Sequence, residues 1–462
     1  MNVLQIVPEL RSGGVERGTV DFAKYLAENG HRSVVVSNGG SLVGEMVAAG
    51  VMHYKLPVHK KSFFSVLSEA RTLEKILRSE SIDIVHARSR VPAWIAFIAC
   101  RRAGIPMITT CHGIYGTHAL SRVMGWGRTV ISISTAVTRH MTQHFKVPYK
   151  RIRMVHRGVN LTEFSDLKTE ACNEKSRKDE EFIIGIVGRI TPIKGHPVLI
   201  RAMARVARVY PQAKLWIVGD APKHRYGEEL RHLVSKLNLA ENVEFLGTQR
   251  DIPSLLARMD VLVAPAVGEE AFGRVMIEAG ALGVPVIASR IGGIVDVIRH
   301  GKDGILTTAG DVTMLAEAIL GVFREPQLAK KLADSLRIRV REKFDDRIMF
   351  EKTMQVYNEA LRSKRILIAK FGAVGDAVLI SPSIREIRRK YPEAHIAVLC
   401  DRSCREIFSR NKHINDVITF DRAEIYSGIK LFTLIKVLSR EAFDVYLDFH
   451  NNRLSHFLAY FS

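Results

Sequence analysis

The sequence predicts an α/β protein built from doubly wound, Rossmann-like parallel sheets. Short β-rich apolar runs alternate with longer helical patterns along all 462 residues, the signature of parallel βαβ units. The rhythm breaks at a polar, charged stretch over 165–181, restarts at Phe182 and begins anew at Arg365. At roughly 150 residues per domain, the length agrees with about three units. The expected division is 1–164, a linker over 165–181, a second unit over 182–346, and a partial third unit over 364–462. Two full Rossmann-like domains facing a cleft would hold a ligand at the carboxyl ends of their strands.

Element by element, residues 3–7, 33–37, 82–87, 107–110, 130–132 and 152–155 read as the first set of strands, with helices over 15–28 and 65–78. The second set is 182–187, 215–218, 243–246, 261–264 and 286–289, closed by helices over 313–323, 327–340 and 347–361. A strand over 365–369 opens the third unit. No apolar run approaches the ~18–20 residues of a membrane span. The N-terminus lacks a basic n-region and reads as a buried strand, not a signal peptide. Five cysteines without a Cys-x-x-Cys pair argue against a disulfide framework or structural zinc, so a cytoplasmic setting is expected.

Lys and Arg total 68 against 48 Asp and Glu, a formal charge of +20. The excess is concentrated: from Ile84 through Thr162 there is no acidic residue, while Arg88, Arg101, Arg128, Lys146, Arg151 and Arg157 are among the cations. Such a block attracts anions. Nucleic acid, an anionic membrane face and a phosphorylated substrate are the three candidate partners. No nucleic-acid motif accompanies the charge. The reading taken is a membrane-associated anionic acceptor, with no nucleic acid.

Several motifs fall on loops after predicted strands. Gly13 and Gly14, after the first strand, would let backbone N–H groups approach a phosphate at a helix start. Arg189 and Lys194, on the loop after the first strand of the second unit, suit a diphosphate: a planar fork and a movable point charge. Glu270 and Glu278 lie eight apart around a helix start, where Phe272, Gly273, Arg274 and Val275 would present free N–H groups to an anion. Glu278 can hydrogen-bond sugar hydroxyls such as those of a ribose, and Glu270 can face developing positive charge.

Over 1–361 these features resemble the family 4 glycosyltransferases, a retaining class with the GT-B fold. The resemblance rests on Gly13–Gly14, the run from Thr110 to Gly113, the run from His156 to Asn160 with Phe164, Gly188–Arg189 with Lys194–Gly195, the Glu270/Glu278 pair, and Gly292–Gly293. Asp296 stands where the family usually has Glu. The resemblance implies a nucleotide-sugar donor whose diphosphate meets Arg189, Lys194 and Gly14. Its ribose would be held by Glu278. Glu270 and His112 would face the transferred sugar, and the N–H groups of Phe272 to Val275 would bind phosphate or sugar. Helix 347–361 matches the family's return helix. With no Asp-x-Asp metal motif, neither a metal nor another cofactor is expected.

From Arg365 to Pro382, with Ser383 to Pro392 and Phe443 to Asp448, the chain resembles the start of a family 9 lipopolysaccharide heptosyltransferase, in which Asp376 would be the acceptor base. That family's donor-binding domain has no counterpart in these residues, so this piece is expected to be inactive alone: a truncated fusion or a docking module. An open sheet lacking its cover should also be only marginally stable. Together with the basic block, the resemblances imply a hexosyltransferase acting on lipopolysaccharide core or a related surface glycan, an anionic glycolipid acceptor, at the cytoplasmic face of the inner membrane. The alternative is transfer to a soluble acceptor.

Overall fold

The computed structural model describes residues 1–461 except Ser12, 165–180, 222–223, 424, 426 and 442. The linker expected over 165–181 therefore lies, but for Glu181, outside the described residues. Among the described residues there are three sheets, and the strand pairs described residue by residue are all parallel. The chain divides into two units: Met1–Thr110, His118–Val130 and Met354–Ser462 form one, and Cys111–Thr117 with Ile131–Thr353 the other.

The first sheet has the order β3-β2-β1-β4-β5-β6-β7. Its strands are β1 (Asn2–Ile6), β2 (Arg32–Ser37), β3 (Met52–Lys55), β4 (Ile84–Ala87), β5 (Met107–Cys111), β6 (Thr129–Ser132) and β7 (Ile152–Met154). The apolar side chains of β1, β2 and β4 are fully buried, as a sheet covered on both faces requires. β3 escapes the sequence reading because it is the half-exposed edge. In the first unit the buried His86 bridges Tyr357 Oη (2.7 Å) and Thr110 Oγ1 (2.6 Å), tying the helix Asp346–Arg362 to β4 and β5. Burial drives the His86 pKa well down, so the ring is neutral and serves as a hydrogen-bond bridge.

The same unit contains the C-terminal sheet, order β16-β15-β14-β17, from β14 (Arg365–Ala369), β15 (His395–Asp401), β16 (Asp416–Phe420) and β17 (Val445–Asp448). Alternation along β14 sends Ile366 and Ile368 to one face with Ile384 and Phe408, and Leu367 and Ala369 to the other with Leu434 and Leu438. Helices Ser381–Lys390 and Arg405–Ser409 supply the partners on the first face, and helix Gly428–Glu441 those on the second. The sheet therefore has a cover on each face, which removes the structural premise for marginal stability. Arg101 donates to the carbonyls of Ser439 (2.7 Å) and Phe461 (3.3 Å), and Arg128 pairs with Asp444, so this sheet is fastened to the first.

The second unit is organised by a sheet of order β10-β9-β8-β11-β12-β13. Its strands are β8 (Phe182–Val187), β9 (Ala213–Val218), β10 (Val243–Gly247), β11 (Val261–Ala264), β12 (Val286–Ser289) and β13 (Ile305–Thr307). The chain runs from β8 outward to β10 and returns to β11 on the other side of β8. That reversal opens a crevice at the carboxyl ends of β8 and β11. A core of Ile184, Ile186, Leu215, Ile217, Val261 and Val263 lies beneath it.

Candidate active site

The two loops leaving β8 and β11 are bound to each other. Val267 and Gly268 N–H both donate to Ile193 O, at 2.9 and 3.3 Å. Between them Gly195 adopts φ +75°, and a Cβ built there would lie 1.8 Å from Pro265 O, so only glycine fits this approach. The single turn Pro192–Lys194 then directs Lys194 across the crevice, where its Nζ lies 2.6 Å from Glu270 Oε2. Both side chains are partly covered, at 28% and 19% exposure. Lys194, Glu270, Gly273 and Val275 line one pocket with Val187 and Ala264 at the strand ends.

Beyond Glu270 the chain enters helix Arg274–Leu282 with Gly273 as its N-cap and no side chain capping it. The first N–H groups of that helix carry its positive dipole end toward the pocket lined by Gly273 and Val275. Phe272 is buried, packed 5.8 Å from both His156 and Phe344; His156 in turn is hydrogen-bonded to Ile133 O at 3.1 Å. Phe272 thus anchors the loop through its ring.

Glu278 lies one turn into the helix, 2.9 Å from Arg274 Nε. Burial raises its pKa; Arg274 and Arg157 oppose that shift, while Glu163 adds to it. Sequence reasoning placed Arg274 here for its backbone alone and missed the ion pair, although the i,i+4 spacing signals it. The pairing of Lys194 with Glu270, 76 residues apart, carried no such signal.

The Gly292–Gly293 turn grips the Glu270 loop from behind. Gly293 N donates to Glu270 O at 2.7 Å, and a Cβ on Gly292 would lie 2.3 Å from the same oxygen. Asp296, one turn on, accepts from Thr135 N (2.6 Å) and Thr135 Oγ1 (2.7 Å) at the start of helix Thr135–Gln143. The aspartate at this position therefore does structural work that sequence reading did not assign.

The remaining predicted residues fall as follows. Arg189 is exposed on the loop after β8. His112 is half-buried in the second unit, its backbone N–H donating to Tyr115 Oη at 3.2 Å. Gly14 is in the first unit and is the first residue of helix Gly14–Glu28, with Gly13 as N-cap. Asp376 is on the C-terminal module, its carboxylate 2.8 Å from Lys370 Nζ, a hydrogen bond and charge that lower its pKa.

Residues 12–163 match the profile described as Glycosyltransferase Family 4, and residues 168–339 match Glycosyl transferases group 1. A glycosyltransferase of known structure from Rickettsia africae is 30% identical, with a TM-score of 0.70 over 78% of this chain and 98% of that one. Fold, pocket and matches together place the chain in the GT-B glycosyltransferases, and it is an enzyme of that family. Among its relatives, the N-acetyl-alpha-D-glucosaminyl L-malate synthase of Bacillus anthracis is 28% identical over 78% of this chain and 96% of its own length. The D-inositol 3-phosphate glycosyltransferase of Mycobacterium marinum is 26% identical over 70% of this chain and 72% of its own. No helix among the described residues is long and apolar enough to cross a membrane.

Proposed function

We propose that the protein transfers a hexose, with retention, from a nucleotide-sugar donor to a hydroxyl of a small anionic, soluble acceptor. The observation that carries the proposal is the Lys194–Glu270 pair at the open start of helix Arg274–Leu282, in the crevice where β8 and β11 part. Lysine and helix-end N–H groups together suit a diphosphate. The two relatives bear the names of L-malate and inositol 3-phosphate, small hydroxylated anions. The soluble acceptor therefore replaces lipopolysaccharide core as the preferred reading, and the acid-free basic block is equally suited to attracting such anions.

In this reading the diphosphate takes Lys194 away from Glu270, and the released carboxylate faces the sugar as its C1–O bond to phosphate breaks. Lys194, Arg189 and the N–H groups of Gly273 to Val275 stabilise the departing diphosphate, worth several kcal/mol in a closed site. A diphosphate oxygen takes the acceptor proton as the new bond forms on the face the phosphate leaves. Glu278, oriented by Arg274, accepts from the ribose hydroxyls. Roles for His112 at the sugar and Gly14 at the diphosphate rest on the family resemblance.

The division into 1–164, 182–346 and 364–462 is part of the same proposal. So is a heptosyltransferase-like third module, inactive on its own, with Asp376 as the base on an acceptor hydroxyl; robust heptosyl transfer from ADP-heptose by this chain would refute that inactivity. The function itself is tested by incubating the enzyme with UDP-, GDP- and ADP-sugars, each with L-malate, inositol 3-phosphate or lipopolysaccharide core as acceptor. An α-linked product on a small acceptor is the expected result. Transfer to lipopolysaccharide alone would overturn it.

A further inference from the structure

In the first unit, the helix Phe63–Ser79 begins with two phenylalanines that are largely exposed among the described residues. Phe63 is 70% exposed and Phe64 81%, their rings packed edge to face at 6.0 Å on each other. Water normally drives such rings into a core, and a single exposed apolar residue would need no explanation. Here the two are adjacent, and the exposed Lys60 and Lys61 precede them directly. No Asp or Glu occurs between Glu45 and Glu69, so the local field is positive and unopposed along the chain.

A lysine pair leading into an aromatic pair at a helix start matches one surface chemistry: anionic headgroups over an acyl boundary. Lysines attract the headgroups within a Debye length, and rings on the adjoining turn enter the apolar layer beneath. The other exposed apolar sets on this unit differ: Val374, Val378 and Leu379 share their helix with Asp376, Phe457 and Tyr460 pack on Phe461, and Ile429 and Phe432 of helix Gly428–Glu441 are flanked in sequence by Asp421, Glu424 and Glu441. We propose that the Lys60–Phe64 tip docks the enzyme on an anionic lipid surface. The inference concerns where the enzyme works, is independent of which acceptor it uses, and deepens the membrane-peripheral expectation drawn from the net charge.

The test is co-sedimentation of the full chain with vesicles of phosphatidylcholine containing 30 mol% phosphatidylglycerol, against vesicles of phosphatidylcholine alone. The wild type should prefer the anionic vesicles at least tenfold, and the preference should collapse between low and 0.5 M salt. Lys60→Glu with Lys61→Glu should abolish binding. Phe63→Ser with Phe64→Ser should weaken it at least tenfold, while Ile429→Ser with Phe432→Ser changes it less than twofold. Melting curves verify folding, and transfer to a soluble acceptor stays within twofold of wild type in each tip variant. Equal partition into both vesicle types, wild-type binding by the serine pair, or loss of a self-associated species on that substitution (a second copy covering the rings) would overturn the proposal. Failure of the wild type to transfer to any soluble acceptor, with its vesicle binding intact, would instead speak against the acceptor reading.

Discussion

Gly195→Ala should damage the site more than its size suggests. Two costs combine. At φ +75° an L-residue is strained by roughly 1–2 kcal/mol. The new methyl would also meet Pro265 O at 1.8 Å, well inside any contact distance, and relieving such overpacking costs roughly 1–3 kcal/mol. Together these predict a loss of about 2–5 kcal/mol, or about 4–20 °C in the melting temperature of a unit this size. Relief requires the loops after β8 and β11 to part by about 1 Å, which moves Lys194 away from Glu270; a displacement of that order can cost about 100-fold in rate. Gly310→Ala is the control: it has φ +83° but nothing within 4 Å of its Cβ, so it pays only the strain. Differential scanning calorimetry and donor kcat/KM on both variants separate the terms. If Gly195→Ala melts and turns over like Gly310→Ala, the close approach of the two loops is not what builds the site.

Lys194→Met should lower kcat/KM for donor by about 100-fold or more while the fold survives; activity within threefold of wild type would remove Lys194 from the diphosphate site. His196, buried behind Lys194, has its pKa pushed down to about 4, mainly by burial. Its charged form is thus penalised only when folded: stability is full above the ordinary value of 6.5 and falls as pH drops toward 4. The difference is worth roughly 3 kcal/mol, and His196→Asn should flatten the denaturant midpoint over that window. For Glu278 the sign reverses, because burial raises its pKa and penalises the carboxylate above pH 4.5. Glu278→Gln should therefore raise the melting temperature at pH 7 yet weaken donor binding; a fall in both would make the residue structural.

Central parallel strands were the most legible elements. The runs Phe182–Val187, Val261–Ala264, Val286–Ser289 and Arg365–Ala369 coincide with β8, β11, β12 and β14, because strands buried on both faces are continuously apolar. In the first two sheets the strands that the pattern missed, Met52–Lys55 and Ile305–Thr307, are edges: one is half-exposed and mixed in character, the other only three residues long. In the third sheet only β14 was read, and β15, β16 and β17 were not, although β15 is a buried inner strand. In the site, residue types pointed to the loops but not to their pairings. Nothing local connects Lys194 to Glu270 or Thr135 to Asp296, since each pair is joined only by how strands order in space. Arg274 with Glu278 was within reach, being four apart on one helix face.

A crystal of the enzyme grown with a nucleoside diphosphate bears most directly on the central claim. Phosphate oxygens should lie within hydrogen-bond distance of Lys194 Nζ and of the first N–H groups of helix Arg274–Leu282, with Glu270 released from the lysine. A nucleotide bound away from that helix start, with Lys194 still on Glu270, would contradict it.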